Sequence, residues 1–116
     1  MPTDIKSLQA ELRGFAAERD WDQFHSPKNL AAALAVEAAE ILEHFQWLTD
    51  EQSRSLTTAK RDEVGEELAD VLLYLVRLSD KLGVDLMTAA NRKLQKNAAK
   101  YPVDKSRGNS TKYTEL

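Results

Sequence analysis

Two pairs of carboxylates carry the most chemistry in this chain: Glu37-Ala38-Ala39-Glu40 and Glu67-Leu68-Ala69-Asp70. On a helix, a spacing of three places both side chains of a pair on one face, one turn apart. Two such faces turned toward each other gather four carboxylates. Such a group repels itself, pushes some of its own pKa values up, and makes a poor core without a counter-charge. Neither face offers enough Lys or Arg to supply one. A hard divalent cation would supply it. Oxygen-only ligation in a chain without cysteine suits Mg²⁺, with Mn²⁺ as a substitute. A di-iron carboxylate bundle is the rival metal chemistry, but it needs Glu-x-x-His pairs. His44 follows Glu40 by four residues rather than three, and His25 lies in a linker. A single Glu-x-x-Glu reads as a solvated helix surface paired with basic residues. Two of them, one in phase with apolar positions, point to a metal.

Two further groups complement the carboxylates. Leu86, Ala90, Lys93, Asn97 and Lys100 share one helical stripe, so two ammonium groups and an amide stand where core residues are expected. Lysine stems can pack while their ends reach solvent. Opposite a metal, the same groups suit the oxygens of a polyphosphate. Trp21, Phe24 and His25 fall in a linker, and Trp47 ends the acidic face of the second helix. Linker aromatics commonly plug a core, yet a Trp pair beside a metal–phosphate centre makes a stacking platform for a nucleobase.

Helical segments must position these groups. Thr3 or Asp4 caps a first helix to about Arg19, with Ile5, Leu8, Leu12 and Phe15 on one stripe. Ser26-Pro27 starts a second helix that should run to about Trp47. Its apolar stripe is Leu30, Leu34, Ile41, Phe45 and Leu48; Glu37 falls inside it and Glu40 at its edge, beside His44 and Trp47. Residues 49–58 form a polar link with one helical turn after Asp50. A third helix spans about Ala59 to Lys81 and stops near Gly83. Its stripe is Val64, Leu68, Val71, Leu75, Leu78 and Leu82, flanked by Glu63, Glu67, Asp70 and Tyr74, and its second half should be central and buried. Asp85 caps a fourth helix to about Lys100, ended by Pro102. The expectation is an all-α, four-helix bundle over residues 1–104, completed by oligomerisation, followed by a polar basic tail over 105–116.

Composition narrows the function classes. With 116 residues, 42% hydrophobic and 30% charged, the chain fits one folded, helix-rich domain rather than disorder. The absence of cysteine excludes disulfides, zinc–thiolate sites and thiol chemistry. No apolar run, Val71 to Val76 among them, is long enough to span a bilayer. No basic-then-apolar leader follows Met1, so cytoplasmic residence and no membrane are expected. The net charge is −3, yet residues 92–112 hold seven Lys and Arg against one acidic residue, Asp104. That asymmetry suits a phosphate-binding end beside an acidic centre. The overall acidity disfavours nucleic acid as a partner.

The combination of motifs is similar to a known family. Trp21-Asp22-Gln23-Phe24-His25, Glu37-x-x-Glu40, Phe45-Gln46-Trp47, Glu66-Glu67-Leu68-x-Asp70-Val71-Leu72-x-Tyr74 and Lys93-x-x-x-Asn97-x-x-Lys100-Tyr101-Pro102 resemble the all-α nucleoside triphosphate pyrophosphatases. Within these the match is to the MazG-like branch close to the dCTP pyrophosphatases, and the ending Ser106-Arg107-Gly108 with Lys112-Tyr113-Thr114 resembles it too. The resemblance implies Mg²⁺-dependent conversion of a dNTP, dCTP or a modified dCTP, to the monophosphate and pyrophosphate. It implies Glu37, Glu40, Glu67 and Asp70 as metal ligands and catalytic residues. It implies Trp21, Asp22, Gln23, Phe24, His25, Trp47 and Tyr74 as the base pocket, and Lys93, Asn97 and Lys100, with Arg107 and Lys112, as the triphosphate side. It further implies homotetramers built as dimers of dimers, with sites between subunits. One departure stands out: the broader motif begins with two adjacent Glu, and here Val36 precedes Glu37. That leaves the identity of any general base open. The alternatives are a non-enzymatic helical interaction protein, or a triphosphate hydrolase with another base preference.

Overall fold

The computed structural model describes residues 1–116 and contains helices and turns but no strand. It divides into two units, Met1–Gly83 and Val84–Leu116. The first holds α1 (Ile5–Glu18), a 3₁₀ turn (Asp22–Phe24), α2 (Pro27–Glu43), the one-turn α3 (Asp50–Ser53) and α4 (Thr58–Leu82). The second holds α5 (Leu86–Lys100), the one-turn α6 (Val103–Ser106) and a 3₁₀ turn (Tyr113–Glu115). No helix is long and apolar enough to cross a membrane.

The helix starts follow from local chemistry. Asp4 and Ser7 form a reciprocal capping box on α1, and Thr49 and Gln52 form one on α3. Ser26 accepts from the Asn29 amide with Pro27 at the first helical position, and Thr57 and Asp85 cap α4 and α5 in the same way. Gly83 ends α4 at φ 68°, a left-handed conformation that costs a side-chain-bearing residue but not glycine.

Within the first unit, α4 is the central element and packs against both α1 and α2. Contacts of α4 with His44, Glu37 and then the residues preceding α2 fall at Glu67, Asp70 and Arg77, so α2 and α4 run antiparallel. Leu8 lies beside Leu72 and Arg13 pairs with Asp80, so α1 runs parallel to α4 along its second half. Few apolar side chains are buried: Ala16, Leu30, Val64 and Val76 form the core.

Two expectations are corrected. The second helix stops at Glu43 rather than Trp47. The amides of His44, Phe45 and Gln46 turn back onto the Ile41 and Leu42 carbonyls, and Trp47 leaves the helix, 87% exposed. The apolar stripe of α4 is not a buried seam in the single chain: Val64 is buried, but Leu68, Leu75 and Leu82 are exposed, while Val76, Arg77 and Ser79 are buried. The physical reason is that α4 has two partners, so its covered face rotates along its length. The segment after Pro102 has local structure of its own. It makes two short turns, and Tyr101 meets the Tyr113 ring edge-on, centroids 6.0 Å apart.

Candidate functional site

The acidic pairs sit at mid-height on the α2–α4 contact. Because the helices are antiparallel and each pair spans one turn, the two pairs face each other. Ligand-capable oxygens of Glu37, Glu67 and Asp70 all lie within 4.8 Å of one another. Glu40 stands beside them, close enough to dominate the titration of both Glu37 and Glu67. The Glu37 carboxyl is pushed up to about 7, chiefly by the neighbouring Glu40 carboxylate, then by burial and by Asp70 and Glu67. Glu67 is raised for the same reasons, Glu40 first, with His44 opposing; the His44 Nε2 lies 3.8 Å from Glu67 Oε1. The Oε2 atoms of Glu37 and Glu67 are buried and accept no hydrogen bond. Buried carboxylate oxygens without donors are costly, so the donor set fits a hard divalent cation: all oxygen, convergent, and with two buried oxygens unsatisfied.

A cleft of about 180 Å³ opens next to this cluster, lined by Leu12, Phe15 and Ala16 of α1, Trp21 and His25 of the linker, and Asp70, Leu73, Tyr74 and Arg77 of α4. It is smaller than pockets that enclose a drug-sized molecule, roughly 300–1,000 Å³. Its size suits one flat ring system. Phe15 meets Trp21 edge-on at 5.7 Å, and Trp21 meets His25 at 6.4 Å, so the aromatic wall is internally braced. Asp70 belongs to both the cleft and the carboxylate cluster.

A charged network holds the linker in place. Asp22 accepts from Arg77 and from Lys81, which hold its carboxyl below the usual carboxylate range, Lys81 foremost. Arg13 of α1 grips Asp80 with two hydrogen bonds and depresses its pKa, and Arg77 lies 3.6 Å from the same carboxylate. Arg77 also donates through Nε to His25 Nδ1 at 3.2 Å. Gln23 bonds back to Asp20, which sits at φ 53°.

Of the expected site residues, the structure thus brings together Glu37, Glu40, Glu67 and Asp70, and sets Trp21, His25 and Tyr74 in the adjoining cleft. Asp22 serves the charged network rather than lining the cleft, and Gln23, Phe24 and Trp47 stand exposed. Lys93, Asn97 and Lys100 lie on α5 in the second unit, where Lys100 sits 4.7 Å over the Tyr113 ring. Sequence reasoning missed Leu12 and Phe15 as cleft walls, and Arg13, Arg77, Asp80 and Lys81 as its support. The available signal was a lone Arg following Leu75-Val76 in the most apolar part of α4.

A helical chain with a carboxylate cluster beside an aromatic cleft defines a candidate metal-dependent, ring-binding protein, and comparison with known proteins narrows that class. The MazG-like family profile matches residues 32–116. The chain is 47% identical over 115 residues to dCTP pyrophosphatase 1 of Bos taurus and, to the same extent, to that of Homo sapiens; the match covers 97% of this chain and 66% of each relative. A crystal structure of a pyrophosphatase from Archaeoglobus fulgidus superposes with a TM-score of 0.81 at 39% identity, covering 88% of this chain and 95% of that one. The chain belongs to the MazG-like family.

Proposed function

We propose that the chain is a divalent-metal-dependent nucleoside triphosphate pyrophosphohydrolase of the pool-cleaning type, acting on dCTP or a modified dCTP. One observation carries this reading: Asp70 is shared by the carboxylate cluster and the aromatic cleft. A ring held in the cleft therefore places its attached phosphates beside the group suited to a cation. The names of the relatives, dCTP pyrophosphatase 1 and a pyrophosphatase, support the substrate and the reaction.

Glu37, Glu40, Glu67 and Asp70 would hold Mg²⁺, with Mn²⁺ as a substitute. The bound cation supplies charge neutralisation at phosphoryl oxygens and favours expulsion of an anionic leaving group. Trp21 and Tyr74 hold the base, and His25 offers it a polar contact. Lys93, Asn97 and Lys100 are the proposed phosphate-side residues, with Arg107 and Lys112 as further candidates. Water replaces the bridging oxygen at the α-phosphorus, and pyrophosphate departs. The exposed Trp47, with Val36, Leu42, Leu68, Leu72 and Leu75 uncovered in the single chain, supports a homo-oligomer, a dimer of dimers in which a second copy completes the site. Cytoplasmic residence, with neither nucleic acid nor membrane as partner, completes the proposal.

A panel of natural and base-modified NTPs and dNTPs, each with Mg²⁺ and with EDTA, tests it. Cytosine deoxynucleotides should turn over fastest and only with the metal. A preference for purines would overturn the substrate assignment.

A further inference from the structure

Arg77 is the most deeply placed charge in the first unit: its side chain is 7% exposed. It stands one turn beyond Tyr74 on α4 and meets three partners from different parts of the chain. Its Nε donates to His25 Nδ1 at 3.2 Å, its Nη2 to Asp22 Oδ1 at 2.5 Å, and its Nη1 lies 3.6 Å from Asp80 Oδ2. Asp80 is in turn held by Arg13, and Asp22 by Lys81. The guanidinium is therefore fixed by carboxylates on two sides, and its remaining edge faces the imidazole.

A guanidinium has only donors and stays charged at any pH a protein survives. An imidazole nitrogen facing it must present a lone pair. His25 Nδ1 is consequently unprotonated, and the single ring proton of the neutral imidazole resides on Nε2. Burial first, then the Arg77 charge, lowers the His25 pKa and favours that neutral ring. The Nε2 atom has no partner within the protein, and the ring lines the aromatic cleft with Trp21, Tyr74 and Asp70.

We propose that Arg77 is a positioning residue that fixes His25 as the Nε2–H tautomer, giving the cleft one fixed hydrogen-bond donor for a base that presents an acceptor, a carbonyl oxygen or an unprotonated ring nitrogen. The ligand side of this rests on the nucleotide-site reading above; the tautomer side rests on the charged network alone. Without Arg77 the ring can hold its proton on either nitrogen, and the donor is lost for part of the population.

The test uses the two histidines of the chain, His25 and His44, labelled with ¹⁵N and followed by long-range proton–nitrogen NMR. Loss of one set of signals in His25→Gln assigns them. The wild type should show His25 protonated on Nε2 at neutral pH, and Arg77→Met should show mixed tautomers with the ring titrating at higher pH. A proton on Nδ1 in the wild type overturns the proposal, and that spectrum does not depend on whether Arg77→Met folds. Unchanged tautomer and titration in Arg77→Met, folded by thermal melt, also overturns it. In turnover assays Arg77→Met should raise KM for the preferred nucleotide about tenfold, the scale of one lost hydrogen bond, with kcat nearly unchanged. Adding Arg77→Met to His25→Gln, whose amide donor needs no tautomer, should raise KM little further; a full additional tenfold rise contradicts the proposed route through His25. If no nucleotide is hydrolysed at all, the functional reading fails while the tautomer measurement still decides the role of Arg77.

Discussion

At the scale of single residues, the carboxylate cluster is under self-imposed tension. Glu37 titrates at about 7 in the fold against an ordinary value of 4.5, because Glu40, burial, Asp70 and Glu67 all oppose its charge. A carboxyl raised in this way favours the fold most below about 4.5, and the contribution is lost as pH rises through about 7. The metal-free protein should accordingly lose stability as pH rises across that window. Glu37→Gln should flatten the profile, read from thermal melts against pH in EDTA. Added Mg²⁺ should raise the melting temperature, and more so above pH 7 than near pH 4.5, because protons and the cation compete for the same oxygens. Much of this was legible in the sequence. Glu37 lies in phase with Leu30, Leu34 and Ile41, which already marks it as a carboxylate facing another element. What the sequence could not show is which basic residues serve the site. Arg77 and Lys81 read as helix surface until Asp22 and His25, which precede α2 in the linker, are placed beside them.

At the scale of elements, local signals carried the boundaries well where a cap or a glycine set them. Ser26-Pro27, Asp85 and Gly83 each did so. Gly83→Ala should cost about 1–2 kcal/mol, the penalty of a left-handed non-glycine residue, measured by urea unfolding. Leu30, 1% exposed at the start of α2, anchors that helix. Leu30→Ala should cost about 3 kcal/mol through lost transfer energy and a residual cavity. Where no cap exists, the sequence misled. The α2 terminus is set by amides of residues 44–46 folding back onto carbonyls of the last turn, and no residue type announces that. The apolar stripe of α4 was equally opaque. Periodicity shows that Leu68, Leu72 and Leu75 want cover, but not whether α1, α2 or another chain provides it.

At the scale of the whole molecule, a helical chain that leaves Val36, Leu42, Leu68 and Leu75 uncovered is expected to associate. Sedimentation should find an oligomer, and Leu42→Glu with Leu75→Glu should shift it to smaller species. The same variants should lose activity if a second copy completes the site. The carboxylates facing each other across α2 and α4 are proposed to bind a cation and to drive pyrophosphate release. Phosphorus NMR of dCTP mixed with the protein and Mg²⁺ reads this most directly. Equal amounts of dCMP and pyrophosphate are expected, with no turnover in EDTA or in a folded Asp70→Ala variant. Formation of dCDP and orthophosphate, or turnover that survives EDTA or Asp70→Ala, would contradict it.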